Sequence, residues 1–153
     1  MTSVALYQPE IPQNVGTIMR LCACFDAALH IIEPVGFIWN DKKLKRSHMD
    51  YFPNIKRYLS FEEFDPSHRL LLLDTKGETS CWGFDFREHD ILLLGKESTG
   101  VPDSVKAKCN HTIFIPMNKN CRSLNVAVAA SIVLAEAKRQ LIQKKERSKE
   151  HEI

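Results

Sequence analysis

The chain has 153 residues, 44% of them hydrophobic, and a formal net charge of +2, which suits one domain with a sizeable core and excludes a nucleic-acid binder that works by overall basicity. No apolar run approaches the roughly 20 residues that span a bilayer, and the N-terminus lacks the charged lead and apolar core of a signal peptide. The five cysteines are scattered without zinc-type spacing and the six histidines show no ligand spacing, so no metal is expected and a reduced, cytoplasmic compartment is the simplest reading.

Short runs rich in Leu, Ile and Val recur at Val4–Tyr7, Leu29–Glu33, Leu70–Asp74, Ile91–Gly95 and Thr112–Pro116. They are continuous rather than alternating, which predicts strands buried on both faces. Ile55–Leu59 is a weaker candidate. After the first run, Pro9 and Pro12 rigidify the approach to a helix over Asn14–Ala28, with Asn14 as a natural N-cap. Gly16 lets another backbone come close. Arg20 lies four residues on, hence on the same face, within an otherwise apolar stretch. Such an arginine takes an anion or a substrate oxygen, or else an intramolecular ion pair, and the residues leave both open.

Between Asp41 and Arg57 stand six basic residues, Lys42, Lys43, Lys45, Arg46, Lys56 and Arg57, against Asp41 and Asp50. Trp39, Tyr51, Phe52 and Tyr58 are interleaved with them. The mixture is either a solvated, weakly paired surface or one that neutralises phosphates and stacks bases. Ser60-Phe61-Glu62-Glu63 has the form of a capping box. Val101-Pro102-Asp103-Ser104 puts a proline in a first helical turn with an acid beside it. The polar loop Asn118–Arg122 then turns into a last helix from about Ser123 to about Gln143, within the usual boundary error. Its first half is apolar on every face and must be covered all round, one side by the chain's own core and the other by a partner. Lys144–Ile153 is almost wholly polar and is expected to fray. Strands alternating with helices predict one α/β domain over 1–153, a mostly parallel sheet with helices on both faces.

Three loops follow predicted strands: Asp74-Thr75-Lys76-Gly77, Leu94-Gly95-Lys96-Glu97-Ser98-Thr99-Gly100, and Pro116-Met117 leading on to Ser123. Ligands settle at the carboxyl ends of strands in open α/β sheets, so these loops either enclose a small molecule through backbone groups or merely turn the chain. Val101-Pro102 follows Gly100 where a phosphate loop needs Gly-Lys-Ser/Thr, and no G-x-G-x-x-G occurs. Kinase, GTPase and NAD readings lose most of their support. Glu97, between two glycines, is either an exposed acid or part of a site.

Three motifs taken in order carry a resemblance: Pro9-Glu10-Ile11-Pro12-Gln13-Asn14-Val15-Gly16 through Arg20, Leu94–Gly100, and Ile115-Pro116-Met117 followed by Ser123-Leu124-Asn125-Val126-Ala127. Together they resemble the SPOUT (α/β-knot) methyltransferases, and more closely the small TrmL/YibK-type tRNA 2′-O-methyltransferases, over about Val4 to Leu141. Ile31–Phe37 and Asp41–Arg46 are similar to the same type, whereas Ala135 stands where such relatives often carry an aromatic. The resemblance implies a deep trefoil knot near the C-terminal end and S-adenosylmethionine held by the knot loops. It also implies a homodimer through the first and last helices and a tRNA partner. The implied reaction methylates a ribose 2′-hydroxyl, at the wobble cytidine or uridine; the alternatives are another tRNA or ribosomal RNA ribose, or a noncatalytic RNA-binding member. Arg20 is then the leading catalytic residue, with Asn14 and Glu97 holding it and the adjacent loop, and Ser123 and Asn125 fixing the ribose. The implied cofactor contacts are Thr75, Lys76, Gly77, Leu94, Gly95, Glu97, Gly100, Ile115, Pro116, Met117, Ser123, Leu124 and Asn125. Lys42, Lys43, Lys45, Arg46, Arg122, Lys138 and Arg139 would grip the RNA backbone.

Overall fold

The computed structural model describes residues 2–48 and 53–151, without the side chains of 46–48. Asp50, Tyr51, Phe52 and the side chain of Arg46 lie outside the described residues. The strands are β1 (Ser3–Tyr7), β2 (Ala28–Ile32), β3 (Ile55–Tyr58), β4 (Leu70–Leu73), β5 (Thr79–Ser80), β6 (Ile91–Leu94) and β7 (His111–Phe114). The helices are α1 (Pro12–Cys24), α2 (Asp41–His48), α3 (Asp103–Lys106) and α4 (Val126–Glu150). The strands form one sheet in the order β3-β2-β1-β6-β4-β7-β5, with every pairing parallel. All carboxyl ends therefore share one edge. Because β6 sits between β1 and β4, the loops leaving β1 and β6 come side by side at a switch in strand order. Sheets of this class bind ligands there.

Alternation divides each apolar run between two faces. Val4, Leu6, Leu92 and Leu94 meet Ile18 and Met19 of α1, Leu44 of α2, and Val133 and Leu134 of α4. Ala5, Tyr7 and Leu93 face the other way, against Phe61, Phe64 and Val105. Burial on both sides is why these strands read as unbroken apolar runs. The second face is covered more thinly than predicted, by an aromatic turn and the four-residue α3. The capping box closes only in part: Glu63 N–H donates to Ser60 Oγ at 3.4 Å, but the Glu63 carboxylate accepts from Leu59 N–H at 3.0 Å, one residue before the cap. No helix follows, because Phe61 and Phe64 turn into the core and Pro66 disfavours a helical Asp65.

The helix ends also differ from expectation. α1 starts at Pro12 with Ile11 as its cap residue, so Asn14 is not the N-cap but a buried residue of the first turn. It stops at Cys24, not Ala28, because Asp26 takes a left-handed φ of 52° that turns the chain into β2. α4 starts at Val126, where the Asn125 side chain accepts from Ala127 N–H at 2.8 Å and Val128 N–H at 3.3 Å. It continues to Glu150 instead of fraying near Gln143. Lys144 donates to Phe86 O at 2.6 Å and Lys145 pairs with Glu88 at 2.9 Å, tying the polar tail to the segment before β6. Val128 and Ile142 are exposed at 46% and 50%. With Ala135, also exposed, they lie at seven-residue spacing on one outward stripe.

Candidate active site

The β6–α3 loop is a closed ring. Lys96 N–H donates to Gly100 O at 3.0 Å and Gly100 N–H returns a bond to Lys96 O at 2.9 Å. Gly100 has a φ of 71°, and a Cβ on Gly95 would lie 2.6 Å from the Gly100 backbone, so glycine is required at both positions. The ring's tip grips the start of α1. Glu97 accepts from Glu10 N–H at 2.9 Å, Ile11 N–H at 3.3 Å and Asn14 Nδ2 at 3.3 Å. Its carboxylate thus stands where a helix start presents unpaired donors and favours negative charge. Asn125 Nδ2 donates to Asn14 Oδ1 at 3.0 Å. An Asn125–Asn14–Glu97 chain therefore ties together α4, α1 and the β6–α3 loop.

These three segments and the β4 loop enclose a cavity of about 560 Å³ at the carboxyl edge, within the usual range for small-molecule sites. Leu72, Leu73, Leu94, Val101, Ile115, Val126 and Ala129 give it an apolar lining, and Asp74, Thr75, Lys96, Glu97, Thr99, Asp103, Lys106 and Ser123 add polar groups. Asp74 and Lys106 pair at 3.7 Å. The result is a niche for a nucleoside-sized molecule with an apolar base and several polar substituents.

Of the predicted cofactor contacts, Thr75, Leu94, Gly95, Glu97, Gly100, Ile115, Met117, Ser123, Leu124 and Asn125 line this cavity. Lys76, Gly77 and Pro116 do not. Gly77 serves the turn: its N–H donates to Asp74 O at 2.9 Å, and a Cβ there would be 2.6 Å from the Ile113 backbone. Lys76 directs its N–H to Asp74 Oδ1 at 2.9 Å. Asp103 and Lys106 were missed because α3 meets the β4 loop only in three dimensions. Asp74 carried a local signal, its place at the end of a predicted strand.

Asn14, Glu97, Ser123 and Asn125 gather at the cavity, but Arg20 does not line it. It is exposed on α1 beside the outward Gln13, Thr17 and Cys24. Lys42, Lys43 and Lys45 are exposed on α2, and Arg122 on the loop before α4. Lys138 and Arg139 have internal work instead. Lys138 Nζ donates to Phe25 O at the end of α1. Arg139 holds both oxygens of Glu136 at 2.9 and 2.8 Å, and that bond keeps the nearly buried Glu136 carboxyl below its ordinary pKa. Trp39 is engaged as well: Arg57 lies 4.2 Å over its ring and its Nε1–H donates to Asp41 at 2.9 Å. No cluster of His, Cys, Asp and Glu fit to hold a metal occurs among the described residues, and no described helix is long and apolar enough to cross a membrane.

Residues 1–135 match the model of the SpoU rRNA Methylase family. The chain is 48% identical over 145 residues to a tRNA (cytidine(34)-2′-O)-methyltransferase of Beijerinckia indica subsp. indica, covering 90% of this chain and 91% of that protein. A solved structure described as "Structural insights into the 2-OH methylation of C/U34 on tRNA" superposes with a TM-score of 0.88 at 41% identity, over 94% of this chain and 97% of that one. The SpoU methyltransferase AviRb from Streptomyces viridochromogenes, solved in complex with the cofactor AdoMet, gives a TM-score of 0.82 at 27% identity, over 93% of this chain and 58% of that one.

Proposed function

Because the chain belongs to the SpoU rRNA methylase family, we propose that it methylates the ribose 2′-hydroxyl of the wobble cytidine or uridine of tRNA, with S-adenosylmethionine as donor. What carries this reading is 48% identity to a named tRNA (cytidine(34)-2′-O)-methyltransferase along 90% of the chain, together with the Asn125–Asn14–Glu97 chain beside a cavity. The cavity suits the cofactor. Its apolar lining fits a base, and the polar side chains Asp74, Asp103 and Lys106 offer partners for hydroxyl and amino-acid groups. Its wall at Gly95 is closely packed main chain, which suits recognition through backbone groups. Thr75, Leu94, Gly95, Ile115, Met117 and Leu124 would hold it. When bound, the cofactor supplies a methyl group on positively charged sulfur.

The chain's task is then alignment, which can lower a barrier by up to about 7–11 kcal/mol, and care of the hydroxyl proton. Ser123 and Asn125 fix the ribose. Asn14 and Glu97 hold the start of α1 against the loop. Arg20 orients the hydroxyl and stabilises the charge that develops on its oxygen; a guanidinium keeps its proton, so the proton passes to water or a substrate phosphate. Arg20 lies on the outer face of α1, so in this reading it acts at a site completed by a second copy. In this reading the homodimer forms through α1 and α4, along the Gln13, Thr17, Arg20 stripe and the Val128, Ala135, Ile142 stripe. We read the segment from β7 to α4 as a deep trefoil knot, the whole chain as one domain, and the cytoplasm as the compartment that supplies tRNA. Lys42, Lys43, Lys45, Arg46 and Arg122 grip the RNA backbone, so binding weakens steeply with salt.

Two measurements test this. Mass spectrometry of tRNA incubated with the protein and the cofactor should find a new ribose methyl at nucleotide 34. A methyl elsewhere in tRNA or in ribosomal RNA would move the target, and no methyl at all would make the chain a noncatalytic RNA binder. Arg20→Ala should abolish transfer while cofactor affinity stays within about twofold; equal loss of both would make Arg20 structural.

A further inference from the structure

The wall that the β6–α3 loop gives the cavity has a rear face. Residues 94–97 and 99–101 line the cavity, but Ser98 does not. Ser98 Oγ donates to Glu10 Oε1 at 2.6 Å, and Ser98 N–H donates to the same oxygen at 3.0 Å. Glu10 does not line the cavity either. It is braced from the other side: Gly36 N–H donates to Pro9 O at 2.8 Å, and a Cβ on Gly36 would come within 3.0–3.2 Å of Glu10 Cα, Cβ and Cγ. The β2–α2 segment therefore packs flush against this glutamate. Bonds run both ways between the loops, since Glu97 takes the Glu10 N–H while Glu10 takes both donors of Ser98.

We propose that Glu10 is a positioning residue for methyl transfer, which clamps the β6–α3 loop to the start of α1 through Ser98 and so sets the cavity wall without touching either ligand. This rests on the reading of the cavity as the cofactor site. The loop is closed by its Lys96–Gly100 bonds and moves as a unit, so freeing its tip displaces Glu97 and Thr99 in the wall. A freed loop must be ordered again on binding, which weakens affinity while leaving the bound geometry, and hence kcat, nearly intact. A carboxylate suits the task because two donors on one charged oxygen bind more strongly than on a neutral one.

The test uses the full chain as Glu10→Ala, Glu10→Gln, Ser98→Ala and the Glu10→Ala/Ser98→Ala double variant. Amide hydrogen exchange of the ligand-free proteins should be faster at Ser98 in Glu10→Ala than in the wild type. Titration with S-adenosylmethionine should show about tenfold weaker binding for Glu10→Ala, with KM raised in step and kcat within about twofold. Ser98→Ala should lose less, because its backbone bond to Glu10 remains. The double variant should be no weaker than Glu10→Ala alone, and Glu10→Gln should recover part of the loss. The Ser98 bonds hold the Glu10 carboxyl below its ordinary pKa, so the clamp persists from neutral pH down through the usual carboxylate range and fails as pH falls through the lowered value; Glu10→Gln should lack that fall. Unchanged exchange at Ser98, or additive losses in the double variant, would overturn the proposal. Faster exchange in Glu10→Ala beside a wild type that does not bind S-adenosylmethionine would support the clamp and sink the cofactor reading instead.

Discussion

The two edges of the sheet carry clefts of nearly equal size, about 560 Å³ at the carboxyl ends and about 580 Å³ at the amino ends, yet they differ in what their polar groups do. At the amino edge the groups satisfy one another. Arg69 donates to both oxygens of Asp90 at 2.9 and 2.7 Å and to Asp85 O at 3.0 Å. Arg87 N–H also reaches Asp90 at 2.8 Å, and Asn110 accepts from Leu70 N–H at 2.7 Å. Asp90 is 2% exposed, and its bonds raise the Arg69 pKa. At the carboxyl edge the bonds join one loop to another and leave between them a hollow lined by both apolar and polar side chains. Volume alone does not mark a site; the engagement of the polar groups does.

That contrast can be broken or sharpened by mutation. The largest effect should come from Asn125→Ala, which strips the cap from α4 and the bond to Asn14. It should cost about 1–2 kcal/mol of stability and more than about 100-fold in methyl transfer, measured with labelled cofactor and tRNA. A loss confined to stability would erase the distinction between the edges. Asp90→Asn should do the reverse, lowering stability by about 2 kcal/mol in urea unfolding with methyl transfer unchanged at 25 °C. Lys144→Met is smaller. Lys144 holds the Asp85 carboxyl below its ordinary pKa, chiefly by a hydrogen bond, so its contribution exists above the usual carboxylate range and is lost as pH falls through the lowered value. Asp85 is 68% exposed, so its share of the deficit at neutral pH should be at most about 0.5 kcal/mol and should vanish in acid melts, while the share from the lost bond to Phe86 O should persist there. Smallest in consequence is thiol labelling. Burial pushes Cys109, beside the amino edge, up to about 11 and Cys22 up to about 12, whereas Cys121 on the carboxyl-edge loop is exposed. Mass spectrometry after brief alkylation at pH 8 should find Cys121 modified before Cys109 and Cys22, since the thiolate is the reactive form.

Much of the scaffold was legible because its signal is local. Runs such as Leu70–Leu73 and Ile91–Leu94 announce strands buried on both sides, and the change from a polar loop to an apolar run near Ser123 announces α4, which starts at Val126. β5 escaped notice because Thr79 and Ser80 carry no apolar pattern. The capping box at Ser60 was legible too, but its promised helix lost to the burial of Phe61 and Phe64. Lys138 and Arg139 looked like free cations because no local pattern reveals Phe25 O or the need of Glu136.

The amino-acid sequence by itself determined the parallel α/β framework and the three loops that frame the cavity, since strand burial and turns depend on neighbours along the chain, while half of the residues lining the cavity were implied by the resemblance. Only the tertiary structure decided how those loops are held and which charges remain outward. Glu97 meets Glu10 across 87 residues of chain and Asn125 meets Asn14 across 111. Pairings at that separation depend on the order in which strands join the sheet, which no short stretch of residues encodes.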